Sequence, residues 1–342
     1  MSETLDFRLL NEVQRDFPLS SAPYAILAQQ FDVDEWQVLE ALRRLQDEGA
    51  ISRVGAVFSP RRIGASTLAA LAVPVERLET VADEVSACPE VNHNYEREHE
   101  WNLWFVATAP DVAHLGRVLS GIAEQSACPL IRLPLKEEFH IDLGFDLKKG
   151  RLASQATASS PSFHPFPSAA GSLLPLSRWQ PTPRERRLMA ALQDGLTLEP
   201  HPYITLAARA GVTEVDALAY LQQWLEAGLI KRFGVVVRHH ELGWTANAMC
   251  VWDVPDEAVS ALGHKLAAMD GVTLCYRRER DLPAWPYNLY CMIHGRARDE
   301  VAGRLDEIRQ SLALGDYPHQ VLFSLRRYKQ RGARYIDLGG GV

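Results

Sequence analysis

Apolar positions recur along this chain in the same succession of periods twice over. In the first half, Tyr24 to Gln30 reads as a helix and Phe31-Asp32-Val33 as a turn. Asp34 is suited to cap the next helix, which carries Leu39, Leu42 and Leu45 on one stripe and stops at Gly49. In the second half Thr213 caps and Asp216 closes a capping-box-like pattern, and Leu218, Leu221 and Leu225 form the stripe before Gly228. A strand comes after each, over Ile51–Phe58 and Ile230–Arg238. Three short helices and a strand give each half the outline of a winged helix-turn-helix. Strand and helix periods then alternate. Thr67–Val73 predicts a strand, Leu78–Ser86 a helix, Val91–Arg97 and Asn102–Thr108 a hairpin, Val112–Ala123 a helix, and Ile131–Leu135 a last strand. That order, β-α-β-β-α-β, is ferredoxin-like.

The two halves are copies. Glu48-Gly49-Ala50-Ile51-Ser52-Arg53-Val54-Gly55-Ala56-Val57 aligns without gaps on Ala227-Gly228-Leu229-Ile230-Lys231-Arg232-Phe233-Gly234-Val235-Val236, and the same offset pairs Gly64 with Gly243. The offset widens where Pro74 meets Pro255, Tyr95 meets Tyr276 and Arg97 meets Arg278. It widens again where Asn102 meets Asn288, as small loop insertions would make it do. The expected fold is α+β, a tandem duplication. Winged helices take residues 1–60 and 184–238, and ferredoxin-like domains take 61–147 and 239–335. Residues 148–183, rich in Ser, Ala, Gly and Pro and lacking periodicity, read as a flexible linker.

At 342 residues the chain has room for two or more cores, and 47% hydrophobic with 23% charged residues is the balance of a soluble globular protein. No apolar run approaches the ~20 residues that span a bilayer. Met1-Ser2-Glu3-Thr4-Leu5-Asp6 has no signal-peptide pattern. The five cysteines form no C-x-x-C pair, and an odd count argues against a disulfide framework, so a cytoplasmic protein is expected. A formal charge of −7 disfavours a nucleic-acid binder. From Asp34 to Glu48 five acids face two arginines, Arg43 and Arg44, and from Thr213 to Ala227 three acids face no base. Recognition helices so charged repel phosphate. Arg53, Arg61, Arg62, Lys231, Arg232 and Arg238 are a residual basic set on or after the wings, and a scaffold role for the helix bundle is the better expectation.

The chemistry gathers in the two hairpins. His93-Asn94-Tyr95-Glu96-Arg97-Glu98-His99-Glu100-Trp101-Asn102-Leu103-Trp104-Phe105 forms one; Cys275-Tyr276-Arg277-Arg278 with Trp285-Pro286-Tyr287-Asn288-Leu289-Tyr290 forms the other. Residues two apart on a strand share a face, which puts His93, Tyr95, Arg97 and in extension His99 together, with Asn102 and Trp104 across from them. Tyr276 and Arg278 share a face likewise, opposite Asn288 and Tyr290. Rings that stack and guanidinium forks that grip carboxylates suit a flat, polyanionic ligand. The bland alternatives are arginines paired with Glu96, Glu98 or Glu279 across the hairpin and aromatics that only fill a core. Leu274 stands where His93 aligns, and Arg280–Pro286 holds no counterpart of His99. Two equal sites are therefore in doubt: one half catalyses alone, or one site draws on both. His201, Tyr203, His239, His240 and His319 have no spacing that argues for a site. No zinc spacing, phosphate-cradling loop or nucleophile elbow is present.

A helix-turn-helix before a βαββαβ domain resembles the Lrp/AsnC regulators. The hairpin motifs are similar to those of the sirohaem decarboxylases: His93 to Phe105 resembles one subunit of that enzyme, and Cys275 to Arg278 with Trp285 to Gly295 the other. Phe233 to His239 and Ala246 to Trp252 fit the second subunit too. The likeness is to the fused two-subunit form of denitrifiers. It implies loss of CO2 from the C12 and C18 acetates of sirohaem, giving 12,18-didecarboxysirohaem on the way to haem d1 or haem. The macrocycle can serve as its own electron sink, so no further cofactor is expected, only a general acid, cation clamps and a dry pocket. The expected catalytic residues are His93, His99, Tyr95 and Arg97. Those expected to bind substrate are Asn102, Trp104, Tyr276, Arg277, Arg278, Asn288, Tyr290 and His294. His93 and His99 are both open as proton donor and as ligand of the sirohaem iron. The halves are expected to pair with each other and the chain to form a homo-oligomer, with no DNA or membrane partner. An effector-binding regulator and a non-catalytic tetrapyrrole carrier are the competing functions.

Overall fold

The structure, a computed structural model, describes residues 4–141, 145–146, 151–152, 181–237, 246–333 and 335. Three helices open the chain: α1 (Leu5–Glu12), α2 (Pro23–Phe31) and α3 (Glu35–Asp47). Proline at its first position starts α2, where the missing N–H costs nothing, and Asp32 ends it in the left-handed region at φ 56°. The Gln37 side chain accepts the Asp34 backbone N–H at 2.9 Å and fixes the start of α3. After β1 (Ile51–Phe58) and the single turn α4 (Pro60–Ile63) come β2 (Ala65–Leu71), α5 (Leu78–Ala87), β3 (Val91–Arg97), β4 (Leu103–Ala109), α6 (Val112–Ser126) and β5 (Leu130–Ile141). Two short strands, β6 (Phe145–Asp146) and β7 (Arg151–Leu152), pair with each other. The rest of the expected linker up to Gln180 lies outside the described residues. The second copy then runs α7 (Pro183–Gln193), α8 (Pro202–Ala210), α9 (Glu214–Glu226), β8 (Ile230–Val237), β9 (Ala246–Trp252), α10 (Val259–Ala267), β10 (Val272–Arg278), β11 (Leu289–Gly295), α11 (Arg298–Ser311) and β12 (His319–Gln330).

Space groups these elements by kind rather than by copy. The described residues of 1–63 and 144–238 form one compact unit, and those of 64–143 with 239–335 the other. In the first, both winged helices pair through antiparallel β1 and β8, with Gly55 opposite Gly234. A Cβ on Gly234 would lie 2.3 Å from the Val13 carbonyl oxygen, so only glycine fits there. On α3 the expected stripe is buried, Leu42 fully, which is worth ~1.5–3 kcal/mol for such a side chain. On α9 the buried line is instead Ala217, Leu221 and Trp224, with Leu218 and Leu225 at its half-buried edge. The larger indole takes the central place.

In the second unit each βαββαβ copy forms its own four-stranded sheet, β3-β4-β2-β5 and β10-β11-β9-β12. The sheets join at both edges, β12 to β3 and β5 to β10, and close into one barrel. This explains why β5 and β12 are each 12 residues long, where the periodicity predicts a strand over Ile131–Leu135 only. Beyond the apolar stretch, residues 136–141 pair with the other copy. Helices α5 and α6 cover one sheet from outside over Ala69, Leu71, Val81, Phe105 and Leu119. Helices α10 and α11 cover the other over Cys250, Trp252, Leu266 and Ile308. Alternation sends the remaining side chains inward: Leu68, Ala70, Trp104, Leu133, Met249, Val251, Tyr290, Met292 and Leu322. An eight-stranded barrel has room inside for side chains or for one small ligand.

Candidate active site inside the barrel

On β3 the faces separate cleanly. Asn94 points to α5, donating from Nδ2 to the Ala82 carbonyl and the Ser86 hydroxyl, both at 3.0 Å. His93, Tyr95 and Arg97 therefore face the barrel interior, where Tyr95 lies opposite Trp104 and His93 opposite Val106. The His93 and Tyr95 rings are edge to face with centroids 6.4 Å apart. Along the other side of β3 runs β12, which sets Gln330 opposite His93 and Arg327 opposite Tyr95. Burial pushes the His93 imidazole down to about 4, so it is neutral at pH 7. Burial raises the Tyr95 phenol, and Arg97 and Arg327 partly offset that rise.

Arg97 is buried, and burial lowers its affinity for the proton. Its Nη1 donates to the Leu322 carbonyl at 3.0 Å. Arg278 stacks 4.5 Å over the Tyr276 ring and donates from Nη1 to the Leu133 carbonyl at 2.7 Å. The carboxylates expected to neutralise them are engaged elsewhere. Glu98 pairs with Arg298, Glu279 approaches Lys136 at 4.0 Å, and Glu96 accepts from the Tyr328 hydroxyl at 3.5 Å. Among the described residues neither Arg97 nor Arg278 has an ion-pair partner. An enclosed guanidinium without a counter-ion is costly unless an anion completes it.

The other expected residues are placed differently. His99 lies past the strand rather than extending it: on the β3–β4 turn, its Nδ1 accepts the Trp101 N–H at 3.0 Å and its ring meets Trp285 edge-on at 5.4 Å. The neutral ring thus keeps its proton on Nε2, and burial lowers its pKa. Asn102 and Asn288 do not line the interior alongside Trp104 and Tyr290. Asn102 donates to the Val73 carbonyl and accepts the Val73 N–H, at 2.8 and 3.0 Å. Asn288 does the same with Val254, at 2.8 and 3.0 Å. Trp104 is buried with its indole N–H on the Trp101 carbonyl at 2.5 Å. Tyr290 is buried with its hydroxyl accepting from Trp285 Nε1 at 2.7 Å. Both contribute wall, as does Tyr276, which stacks on Tyr290 at 5.7 Å. Arg277 is on the opposite face from Tyr276 and Arg278 and pairs with Asp256 at 2.7 Å. His294 Nδ1 lies 2.9 Å from the Thr273 hydroxyl.

Sequence reasoning missed Arg327 and Gln330, because they join β3 only through the pairing of the copies. The cluster of Arg326, Arg327, Lys329 and Gln330 was the one available signal. Cys250, Cys291 and Cys275 stand in a row across three strands in the α10–α11 core, where burial raises the thiols of Cys275 and Cys291 and keeps them inert. Among the described residues no cluster of histidine, cysteine and acidic side chains fits a metal ion, and no helix is long and apolar enough to cross a membrane.

Paired ferredoxin-like sheets with winged helices define the AsnC-like class. Residues 62–140 and 241–329 match the AsnC-like ligand binding domain. Residues 6–51 and 185–231 match the siroheme decarboxylase NirDL-like HTH domain. The chain is 43% identical over 336 residues to the siroheme decarboxylase NirDL subunit of Paracoccus denitrificans (strain Pd 1222), covering 98% of each. A crystal structure of the siroheme decarboxylase NirDL superposes with a TM-score of 0.71 at 27% identity, over 97% of this chain and 94% of that one. A second, of NirDL with an iron-uroporphyrin III analogue, gives 0.67 at 28% identity, over 94% and 92%. This chain belongs to the sirohaem decarboxylases, in their fused NirDL form.

Proposed function

We propose that the chain decarboxylates sirohaem inside the barrel, converting the C12 and C18 acetates to methyl groups and giving 12,18-didecarboxysirohaem. The observation that carries the reading is the set His93, Tyr95 and Arg97 on one inward face of β3: a titratable ring, a phenol and an enclosed guanidinium with no counter-ion among the described residues. A tetrapyrrole bearing carboxylates supplies the missing anion, and the apolar interior of Leu68, Met249, Val251 and Leu322 suits its faces.

In each decarboxylation the bond between the acetate methylene and its carboxylate breaks. The electron pair passes into the macrocycle, CO2 leaves, and one proton is delivered to the methylene carbon. His93 supplies that proton. Burial alone keeps the ring neutral, and a polyanion beside it offsets that effect by favouring the imidazolium. Tyr95 orients a carboxylate or relays the proton, and Arg97 holds an anionic side chain through the donors its Leu322 bond leaves over. His99, with its proton on Nε2, is the second donor candidate. The enclosed wall of Trp104, Tyr276 and Tyr290 excludes water, which favours a charged carboxylate losing its charge. Iron belongs to the substrate. The test is anaerobic incubation of the protein with sirohaem and then mass analysis: the expected product is lighter by two CO2. An unchanged mass with tight binding would leave a carrier instead.

A further inference from the structure

The two seams that close the barrel are built alike and lined differently. At the first, β3 faces β12, with His93 opposite Gln330 and Tyr95 opposite Arg327. At the second, β10 faces β5, with Leu274 opposite Ile141 and Tyr276 opposite Glu138. Register makes these positions equivalents. Tyr95 corresponds to Tyr276, so Arg327 corresponds to Glu138; His93 corresponds to Leu274, so Gln330 corresponds to Ile141. Directly opposed residues on antiparallel strands share a face. Arg327 therefore faces inward with Tyr95, while its neighbour Tyr328 turns to the helix side and bonds Glu79 at 3.0 Å. Its Nη1 reaches Gln330 Oε1 at 3.2 Å, so the guanidinium extends along the strand towards the level of His93.

The charges differ in the same way. Arg97 and Arg327 are both cationic at the first seam, and no acid stands at the equivalent positions. At the second seam the acid Glu138 stands at the position equivalent to Arg327, and two aliphatic residues, Leu274 and Ile141, stand at those of histidine and glutamine. A substrate with eight carboxylates is drawn to the first seam, where it meets the His93 imidazole that the second seam lacks.

We propose that Arg327, delivered by the last strand of the second copy, holds a substrate carboxylate beside His93. The seam between β3 and β12 is then the one decarboxylating site of the chain, and its duplicate between β10 and β5 is not a site. This assignment rests on the sirohaem reading and completes that site with a residue from the other half.

The experiment compares Arg327→Gln, Arg327→Lys and Glu138→Gln in the full chain. Iron uroporphyrin III is titrated by its visible spectrum, and sirohaem turnover is monitored by product mass. Wild-type protein is measured first; if it fails to decarboxylate sirohaem, the functional reading itself falls. Given wild-type turnover, Arg327→Gln should weaken iron uroporphyrin III binding about 10- to 100-fold, since a charged group loses its partner. Arg327→Lys should recover part of that loss, and Glu138→Gln should stay within about twofold of wild type. The melting temperature of each variant separates lost binding from lost folding. Should Arg327→Gln fail to fold, a folded Arg327→Lys still has to show weakened binding, because lysine cannot reproduce the planar fork. Saturation is expected at one tetrapyrrole per chain. Wild-type affinity and turnover in a folded Arg327 variant, or two equivalents bound per chain, would overturn the proposal.

Discussion

Arg97 and Arg278 make the same bond in the two copies: each donates from Nη1 to the main chain of the other copy's sheet, Arg97 to Leu322 on β12 and Arg278 to Leu133 on β5. The shared bond is architectural, a tie across each seam. What the copies do not share must carry the chemistry. Tyr95 and Tyr276 stay alike, while His93 is Leu274 in the second copy and the β12 residues Arg327 and Gln330 replace Glu138 and Ile141. Removing either arginine should therefore loosen its seam, but only Arg97→Ala should also reduce turnover. Hydrogen exchange at the two seams, set beside the decarboxylation rate, checks this. Equal loss of turnover from Arg278→Ala would show that both seams work on substrate.

Asn102 and Asn288 are a second duplicated device. Each clasps both backbone groups of one residue, Val73 or Val254, and so fixes the chain as it leaves the first strand of its sheet. Asn288→Ala would leave the buried Val254 N–H unpaired, at a cost of ~1–3 kcal/mol, while the Val254 carbonyl keeps its bond from Arg280 Nη2 at 2.7 Å. A lower melting temperature with unchanged affinity for iron uroporphyrin III is the expected pair of results. A loss of affinity in a variant of wild-type stability would return these amides to the substrate.

Much of this fold was legible from periodicity. The helices, hairpins and duplication depend on local spacing, and they fall within a few residues of expectation. Pairing between the copies is not local. It lengthened β5 and β12 through runs such as Lys136-Glu137-Glu138-Phe139-His140, which carry no continuous apolar face. The face of His93, Tyr95 and Arg97 was readable because β3 keeps a period of two. His99 was harder to place because the strand ends at Arg97 and the turn after it reorients the chain. Asparagine in a hairpin reads as polar lining, although its amide is also the side chain best suited to pair with a main-chain N–H and carbonyl together.

The winged helices should not bind DNA. Of the basic set on the wings, Arg53 bonds the Ala56 carbonyl at 2.9 Å, Arg232 is buried against the Gln14 carbonyl at 3.1 Å, and Arg62 bonds the Ala227 carbonyl at 2.5 Å. The side chain of Arg61 and all of Arg238 lie outside the described residues. Lys231 is exposed on β8, but with these guanidinium groups committed and α3 rich in acids the wings offer little to neutralise phosphate. A mobility-shift assay at physiological salt should show no sequence-selective complex. A salt-sensitive, selective shift at nanomolar protein would refute this.

Cleavage of the chain between residues 153 and 180 should leave an active complex. The copies are joined by two antiparallel seams in the barrel and by β1 with β8 between the winged helices, all of them ladders that no linker supplies. Gel filtration of the cut protein should show the fragments together, with sirohaem turnover retained. Folded fragments that separate freely would mean that the covalent tether holds the halves.

His93 gives the sharpest test, because its pH behaviour in the free protein and in the substrate complex should be opposite. Its pKa in the folded protein is about 4, against 6.5 as the ordinary value. The unfolded chain therefore binds a proton between pH 6.5 and 4 that the folded chain does not. Stability is full above about 6.5 and falls as pH drops towards 4, below which His93 contributes no further slope. His93→Leu, which installs the residue found at the equivalent position of the second copy, should flatten that slope in thermal melts. With substrate present the sign reverses: carboxylates stabilise the imidazolium, so binding should take up a proton near pH 7. Calorimetry in two buffers of different ionisation enthalpy reads that uptake, and His93→Leu should lose it. The same variant should keep tetrapyrrole binding, seen in the visible spectrum, and slow decarboxylation by ~10²–10⁴-fold, the usual loss for a missing general acid. A changed spectrum of the bound tetrapyrrole would mark His93 as the iron ligand instead. Wild-type turnover would move the proton donor to His99, whose Nε2–H on the hairpin is the next group in line.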